Sequence, residues 1–159
     1  MSRISLVAYD EEFLELSWQW LNDAEIKELT LTPNFTKSDQ KKYFKSLKER
    51  TNYIIFGLIV DDNIKVGAAG LKNIETNRAE YWGYIGNKNY WGQGLGKELA
   101  KLMEKVCAER YINELYLKVS SENIRAVKSY LNTGYSKIRN EGNIIIMEKM
   151  INVNAIVLE

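Results

Sequence analysis

The residues of this chain best suited to chemistry stand together in Tyr90-Trp91-Gly92-Gln93-Gly94-Leu95-Gly96-Lys97-Glu98. An extended run feeds this stretch and a helical run leaves it. Glycine lets backbone approach a ligand closely. The start of a helix leaves its first N–H groups without intrahelical acceptors. Those donors, with the positive end of the helix dipole, suit a pyrophosphate. By itself the spacing fits equally well a loop that only turns tightly. Two other phosphate loops are excluded by the letters. In a P-loop reading, Gly96-Lys97 is followed by Glu98 where a magnesium-binding hydroxyl is needed, and Trp91 stands where the first glycine belongs. The dinucleotide pattern Gly-x-Gly-x-x-Gly fails because Lys97 occupies its last position.

What the chain lacks narrows the chemistry further. It has no histidine and one cysteine, Cys107. A histidine-ligated zinc centre, a Ser-His-Asp nucleophile and an internal disulfide are excluded within one chain. No metal is expected, and a general base must be a carboxylate, tyrosine, lysine or water. Cys107 falls in helical register with Ala100 and Met103, which reads as a small buried hydrophobe rather than a nucleophile. Lys and Arg total 22 against 21 Asp and Glu, so no broad basic field attracts nucleic acid. The longest apolar run, residues 53–60, is too short to span a bilayer. The opening residues lack the apolar core of a signal peptide. The expectation is a cytoplasmic protein with no nucleic-acid or membrane partner. Its 159 residues suit one domain, 1–159, and leave a homodimer open.

Two further groups carry polar chemistry. Asn123-Ile124-Arg125-Ala126-Val127-Lys128-Ser129-Tyr130 is followed by Gly134-Tyr135. Asn123 and Tyr130 are about two helical turns apart, so both project toward one side. Taken singly they are a helix N-terminal Asn and a packing Tyr. In residues 78–86, strand alternation puts Glu80, Trp82 and Tyr84 on one face and Tyr81, Gly83 and Ile85 on the other. The aromatic surface of Trp82 and Tyr84 would desolvate a carboxylate at Glu80. The plainer alternative for Glu80 is a solvated strand-edge charge.

In this order the three groups resemble the GNAT superfamily of N-acetyltransferases. The family's acyl-CoA loop reads Gln/Arg-x-x-Gly-x-Gly/Ala. Gly94 and Gly96 match it. Trp91 takes the Gln/Arg position, a departure that a loop working through backbone N–H groups tolerates. The Tyr-Trp-Gly-x-Gly form is similar to the branch of ribosomal-protein alanine, spermidine and amino-sugar acetyltransferases. The family's Asn-x-x-Ala-x-x-x-Tyr…Gly-Phe/Tyr is matched by Asn123, Ala126, Tyr130, Gly134 and Tyr135. The resemblance covers nearly the whole chain, best over residues 54–150.

It implies acetyl-CoA as co-substrate. The pyrophosphate would rest on Trp91, Gly92, Gln93, Gly94, Leu95, Gly96 and Lys97; by position Lys97 and Lys101 suit phosphate and a solvated helix face equally well. Asn123 and the free strand edge at Tyr84, Ile85 and Gly86 would hold the pantetheine arm. Tyr130 would donate to the leaving thiolate. Glu80 matches an Ala-Glu near the start of the family's strand and is the expected base, directly or through water. Counted back from Tyr90-Trp91-Gly92 it lies one residue early. A bulge or a one-residue loop insertion reconciles the counts; with no bulge, Tyr81 takes the glutamate position. The implied reaction is direct acetyl transfer to a primary amine of a small molecule, such as an amino sugar, polyamine or aminoglycoside. A protein N-terminus is the alternative acceptor, and a non-catalytic acyl-CoA-binding module the alternative function. The amine would enter near residues 23–35 and 139–143, where Asp23, Glu25 and Glu28 suit a cation.

The elements that must position these groups follow from periodicity. Strand signals fall at residues 3–7, 53–60, 64–74, 78–86 and 114–120, and on both sides of residues 140–143. Helical signals fall at 10–22, 36–50, from Gly96 to 110, and 122–132, with Gly134 as a stop. The longest helix repeats Leu95, Leu99, Leu102 and Val106 on one face. The order is β-α-α-β-β-β-α-β-α-β-β, an α/β (α+β) fold. The resemblance adds a central mixed, mostly antiparallel sheet flanked by helices, with its middle strands splayed.

Overall fold

The computed structural model describes residues 3–153. Their elements are β1 (Ile4–Ala8), α1 (Glu11–Asn22), α2 (Ala24–Leu29), α3 (Lys37–Ser46), β2 (Ile54–Val60), β3 (Ile64–Lys72), β4 (Arg78–Ile85), α4 (Leu95–Glu109), β5 (Glu114–Ser120), α5 (Ile124–Asn132), β6 (Ser136–Glu141) and β7 (Ile144–Met150). The order expected from the sequence holds except for α2. Asp23 creates that helix. Its backbone is extended, which ends α1, and its carboxylate accepts from the N–H groups of Glu25 and Ile26, which starts α2. The second expected helix also stops early, at Ser46, and runs on only as a 3-10 turn, Leu47–Glu49. It begins with a Thr36–Asp39 capping box.

The seven strands form one sheet in the order β1-β2-β3-β4-β5-β7-β6. Every pairing is antiparallel except β4 with β5. That parallel pairing covers only Arg78, Ala79 and Glu80 against Glu114, Leu115 and Tyr116. Beyond it β4 stays with β3 through Ile85, and β5 stays with β7 through Ser120. The two strands therefore part in mid-sheet, as the splayed pattern requires.

Helices α4 and α5 cover one face of the sheet and α1 covers the other. The fully buried stripe of α4 is Leu95, Leu99, Met103 and Cys107; Leu102 and Val106, which the periodicity put at its centre, lie at its partly buried margin. The shift keeps a helical four-residue step but moves the face by one position. Each such side chain contributes about 1.5–3 kcal/mol of burial, so the helix that opens at the glycine loop is firmly anchored. Burial raises the Cys107 thiol to about 12, consistent with the inert core residue expected. Across the sheet, Phe13 of α1 packs on Gly57 and Trp20 on Gly86, where an added Cβ would lie 2.3 Å from either ring.

Candidate active site

Gly92 and Gly94 have φ of 76° and 77°, the left-handed region that favours glycine. Gly94 is the N-cap of α4. Among the described residues, the backbone N–H groups of residues 92 to 97 have no hydrogen-bond acceptor; the ladder of α4 begins with Glu98 N donating to the Gly94 carbonyl. A row of free donors at the start of a long helix fits a pyrophosphate. Gly96 differs from its neighbours. Its φ is not positive, and a Cβ there would meet only Ser129 Oγ, at 4.0 Å. Trp91, the departure from the family pattern, donates its indole N–H to the Ile85 carbonyl at 2.7 Å. Its side chain thus folds the loop back on the end of β4, while Lys88 and Arg125 stand 5.6 and 5.7 Å from its ring. Lys97 and Lys101 line a cavity of about 330 Å³ between α4 and the end of α5, with Glu104, Asn132 and Lys149.

The edge of β4 next to the gap follows from one hydrogen bond. Gly86 N donates to the Val66 carbonyl of β3 at 2.6 Å. In an antiparallel ladder such bonds recur on alternate residues. The backbones of Tyr84 and Trp82 therefore also face β3, and those of Tyr81, Gly83 and Ile85 face the gap. Of Tyr84, Ile85 and Gly86, only Ile85 presents its backbone there, and its carbonyl is taken by Trp91. Gly83 presents its backbone there too, while the Tyr81 N–H is taken by the parallel pairing with Tyr116; the backbones of Tyr84 and Gly86 face β3. The Tyr84 hydroxyl donates to Ser17 Oγ at 3.1 Å on the α1 side.

Asn123 caps α5, its side-chain oxygen accepting from Ala126 N at 3.3 Å. This uses the amide's acceptor and leaves its NH2 group available. Tyr130 lies about two turns further along α5, edge-on to Tyr81 and Tyr135 with ring centroids 6.3 and 5.4 Å apart. Burial pushes its phenol up to about 12, so it stays a protonated donor at neutral pH. Among the described residues its hydroxyl has no hydrogen-bond partner.

Glu80 is buried, 5% exposed. Asn73 Nδ2 donates to one carboxylate oxygen at 3.1 Å, and Lys72 Nζ lies 3.6 Å from the other. A solvated edge charge is thereby corrected. The rings of Trp82 and Tyr84, on the same face of β4, pair with Tyr53 and Trp20. The β3–β4 register runs without a shift from Lys72↔Glu80 to Gly67↔Ile85. The sheet's bulge on this side lies in the β2–β3 pairing, between Leu58 and Ile59. Glu80 and Tyr130 thus flank β4 from opposite faces. Both can reach one molecule only if it lies in the plane of the sheet, in the gap itself.

The sequence reading missed the residues around Glu80. Asn73 sits at φ 51°, a left-handed conformation that Asn tolerates, and Tyr116 stands directly across the ladder from Glu80. Only the Asn in a turn gives a hint of this. On the acceptor side, Asp23 and Glu25 hold Lys88 at 3.0 and 2.9 Å. Two of the three carboxylates expected to meet a cation are already paired. The third, Glu28, has its pKa raised by neighbouring Glu122. Trp18 packs edge-on to Phe35.

The model of the acetyltransferase (GNAT) family matches residues 14–135. This chain belongs to that family and is by class an N-acetyltransferase. No curated protein matches it in sequence. Solved structures share its fold. A domain from Methanocaldococcus jannaschii superposes with a TM-score of 0.84 at 20% identity, covering 95% of this chain and 100% of that one. Spermidine N-acetyltransferase from Vibrio cholerae, in complex with CoA and spermine, gives 0.84 at 17% identity, covering 93% and 95%. AAC(6')-Ib, in complex with paromomycin and acetyl-CoA, gives 0.80 at 18% identity, covering 98% and 97%. Among the described residues, no helix is long and apolar enough to cross a membrane.

Proposed function

We propose that this chain acts as a single domain that transfers acetyl from acetyl-CoA directly to a primary amine of a small molecule. The observation that carries the reading is the continuity of unpaired groups. Free N–H donors at residues 92 to 97 lead to the open β4 edge at Gly83 and Ile85, beyond the pairing with β5, and then to the unbonded Tyr130 hydroxyl. Asn123 lies at the start of the same helix as Tyr130. An acetyl thioester supplies an already activated acyl group, so the protein's part is orientation and proton handling. Loop N–H groups hold the diphosphate, and the β4 edge pairs with the extended arm as a neighbouring strand would. The Gly83 N–H is placed to polarise a carbonyl in the gap.

Tyr130, on the α4–α5 face, gives its proton to the departing sulfur. The amine approaches from the other face, and Glu80 receives its proton through water, since both carboxylate oxygens already have partners. The acceptor class is supported by the similar structures that hold a small amine, spermine in one and paromomycin in the other. A cytoplasmic location accords with this chemistry. The test is release of free CoA from acetyl-CoA across a panel of amino sugars, polyamines, aminoglycosides and peptides with free N-termini. Turnover on a small amine supports the reading. Turnover on peptides alone replaces the acceptor. CoA binding without turnover on any member makes the chain a binding module.

A further inference from the structure

Arg3, at the head of β1, reaches three separate parts of the chain. Its Nε and Nη2 meet the two carboxylate oxygens of Asp61, in the β2–β3 turn, at 3.4 and 3.0 Å. Its Nη1 donates to Gln93 Oε1 at 2.7 Å. Its backbone N–H donates to Glu98 Oε1, in the first turn of α4, at 2.6 Å. The guanidinium also lies 6.0 Å from the centre of the Tyr90 ring.

Gln93 is the side chain between the two left-handed glycines, and its amide is held at both ends. Nε2 donates to the Asn89 carbonyl at 3.0 Å, and Oε1 takes Arg3. Nothing lies within 4 Å of a Cβ built on Gly92 or Gly94. The loop therefore has no packing at those residues to stiffen it, and glycine backbone is the most entropically free of all. A ligand that meets a loop already in its bound shape avoids the cost of ordering it.

We propose that Arg3 is a positioning residue for the cofactor loop: through Gln93 it fixes the arrangement that leaves the N–H groups of residues 92 to 97 free to take phosphate. This rests on the acetyl-CoA reading of that loop. Arginine suits the task because its planar fork serves Asp61 and Gln93 at once, which a lysine ammonium on a flexible stem cannot match. Arg3 and Asp61 keep 38% and 49% of their side chains exposed, so screening holds the effect to about fivefold in affinity.

The experiment titrates CoA calorimetrically into wild type, Arg3→Ala, Gln93→Ala and the double variant, with a melting curve for each. Turnover at saturating acetyl-CoA is measured in parallel. The expected result is a Kd about fivefold higher in either single variant, with kcat and the amine KM unchanged in Arg3→Ala. The double variant should be no worse than the singles, because both remove one link. Arg3→Lys should fall between wild type and Arg3→Ala. Asp61→Asn, which loosens the fork from its other end, should move Kd in the same direction and covers the case of an unfolded Arg3→Ala. Wild-type affinity in a folded Arg3→Ala, or independent effects that multiply in the double variant, overturns the proposal alone. A wild type that binds no CoA overturns the loop reading and the proposal with it.

Discussion

The two sides of β4 prepare for ligands in opposite ways. On the α4–α5 side, groups stand unused: the N–H row of residues 92 to 97, the backbone edge at Gly83, and the Tyr130 hydroxyl. On the α1–α3 side, polar side chains have already found one another. Tyr9 and Tyr84 both donate to Ser17, Tyr43 bonds Tyr53, Glu80 holds Lys72 and Asn73, and Lys88 holds Asp23 and Glu25. Trp82 is the exception, its indole N–H buried without a partner among the described residues. The cofactor side is thus preorganised by what it leaves open. An acceptor on the other side must exchange protein–protein contacts for its own, which ties recognition to rearrangement.

The sharpest way to break this contrast is to spoil the open side. Gly94→Val puts a β-branched residue at φ 77°, where nothing nearby blocks the side chain but the backbone itself is strained. The loop must change conformation, and the N–H row with it. CoA should no longer raise the melting temperature, although the core beneath α4 keeps the protein folded. A Gly94→Val protein that is stabilised by CoA as well as wild type would remove the loop from the binding site. It would also leave no ground for calling the α4–α5 side prepared.

A smaller effect is expected at Tyr130, where one unused donor is at stake rather than a whole row. Tyr130→Phe keeps the ring contacts with Tyr81 and Tyr135 and deletes only the hydroxyl. Turnover should fall by about a hundredfold, the usual scale for a lost proton donor, while the CoA Kd stays near wild type. The phenol's raised value of about 12 also fixes a pH signature. The donor form persists until pH approaches that value, so Tyr130 should contribute no basic limb to the rate profile below about pH 11. An unchanged kcat in Tyr130→Phe would show that leaving-group protonation comes from solvent.

The same contrast explains what was legible from the amino-acid sequence. Backbone recognition leaves its mark in residue types, because only glycine enters the left-handed region freely and a helix must begin somewhere. Gly94, Asn123, Tyr130 and Gly134 could therefore be placed in order, and the sheet with them. Side-chain pairing across a fold leaves no such mark. Nothing in the spacing of Lys72, Asn73 and Glu80 says that three adjacent turns and strands will close on one carboxylate. Nor does position 3 announce a contact with position 93. The pattern marks Trp91 as a departure and as part of the pyrophosphate loop, but its bond to the Ile85 carbonyl requires the loop's three-dimensional path. Helix α2 was missed for a related reason: six residues, Ala24–Leu29, are too few for periodicity to register, and the cap at Asp23 was the sole local signal.

Glu80 is where the two sides meet, and its variant should show a smaller effect on turnover than Tyr130→Phe, one that depends on pH. Glu80→Gln keeps the shape and the bond from Asn73 while removing the charge that Lys72 faces. If Glu80 acts through water, its loss slows removal of the amine's proton without abolishing it, because solvent can do the same more slowly. Turnover at pH 7 should then drop by about tenfold, less than for a directly contacting base. The sign of the pH dependence follows. A base works when deprotonated, so it matters most where the amine is still protonated. As pH rises toward an alkyl amine's value of about 10, the amine arrives neutral and the variant should converge on wild type. CoA affinity should not change, since no phosphate or backbone donor is touched. A constant ratio between variant and wild type from pH 6 to 10 would instead mark Glu80 as a purely structural partner of Lys72 and Asn73. Equal turnover at every pH, with a lower melting temperature, would say the same. The α1–α3 side would then hold no proton acceptor at Glu80, and the amine would lose its proton to water alone.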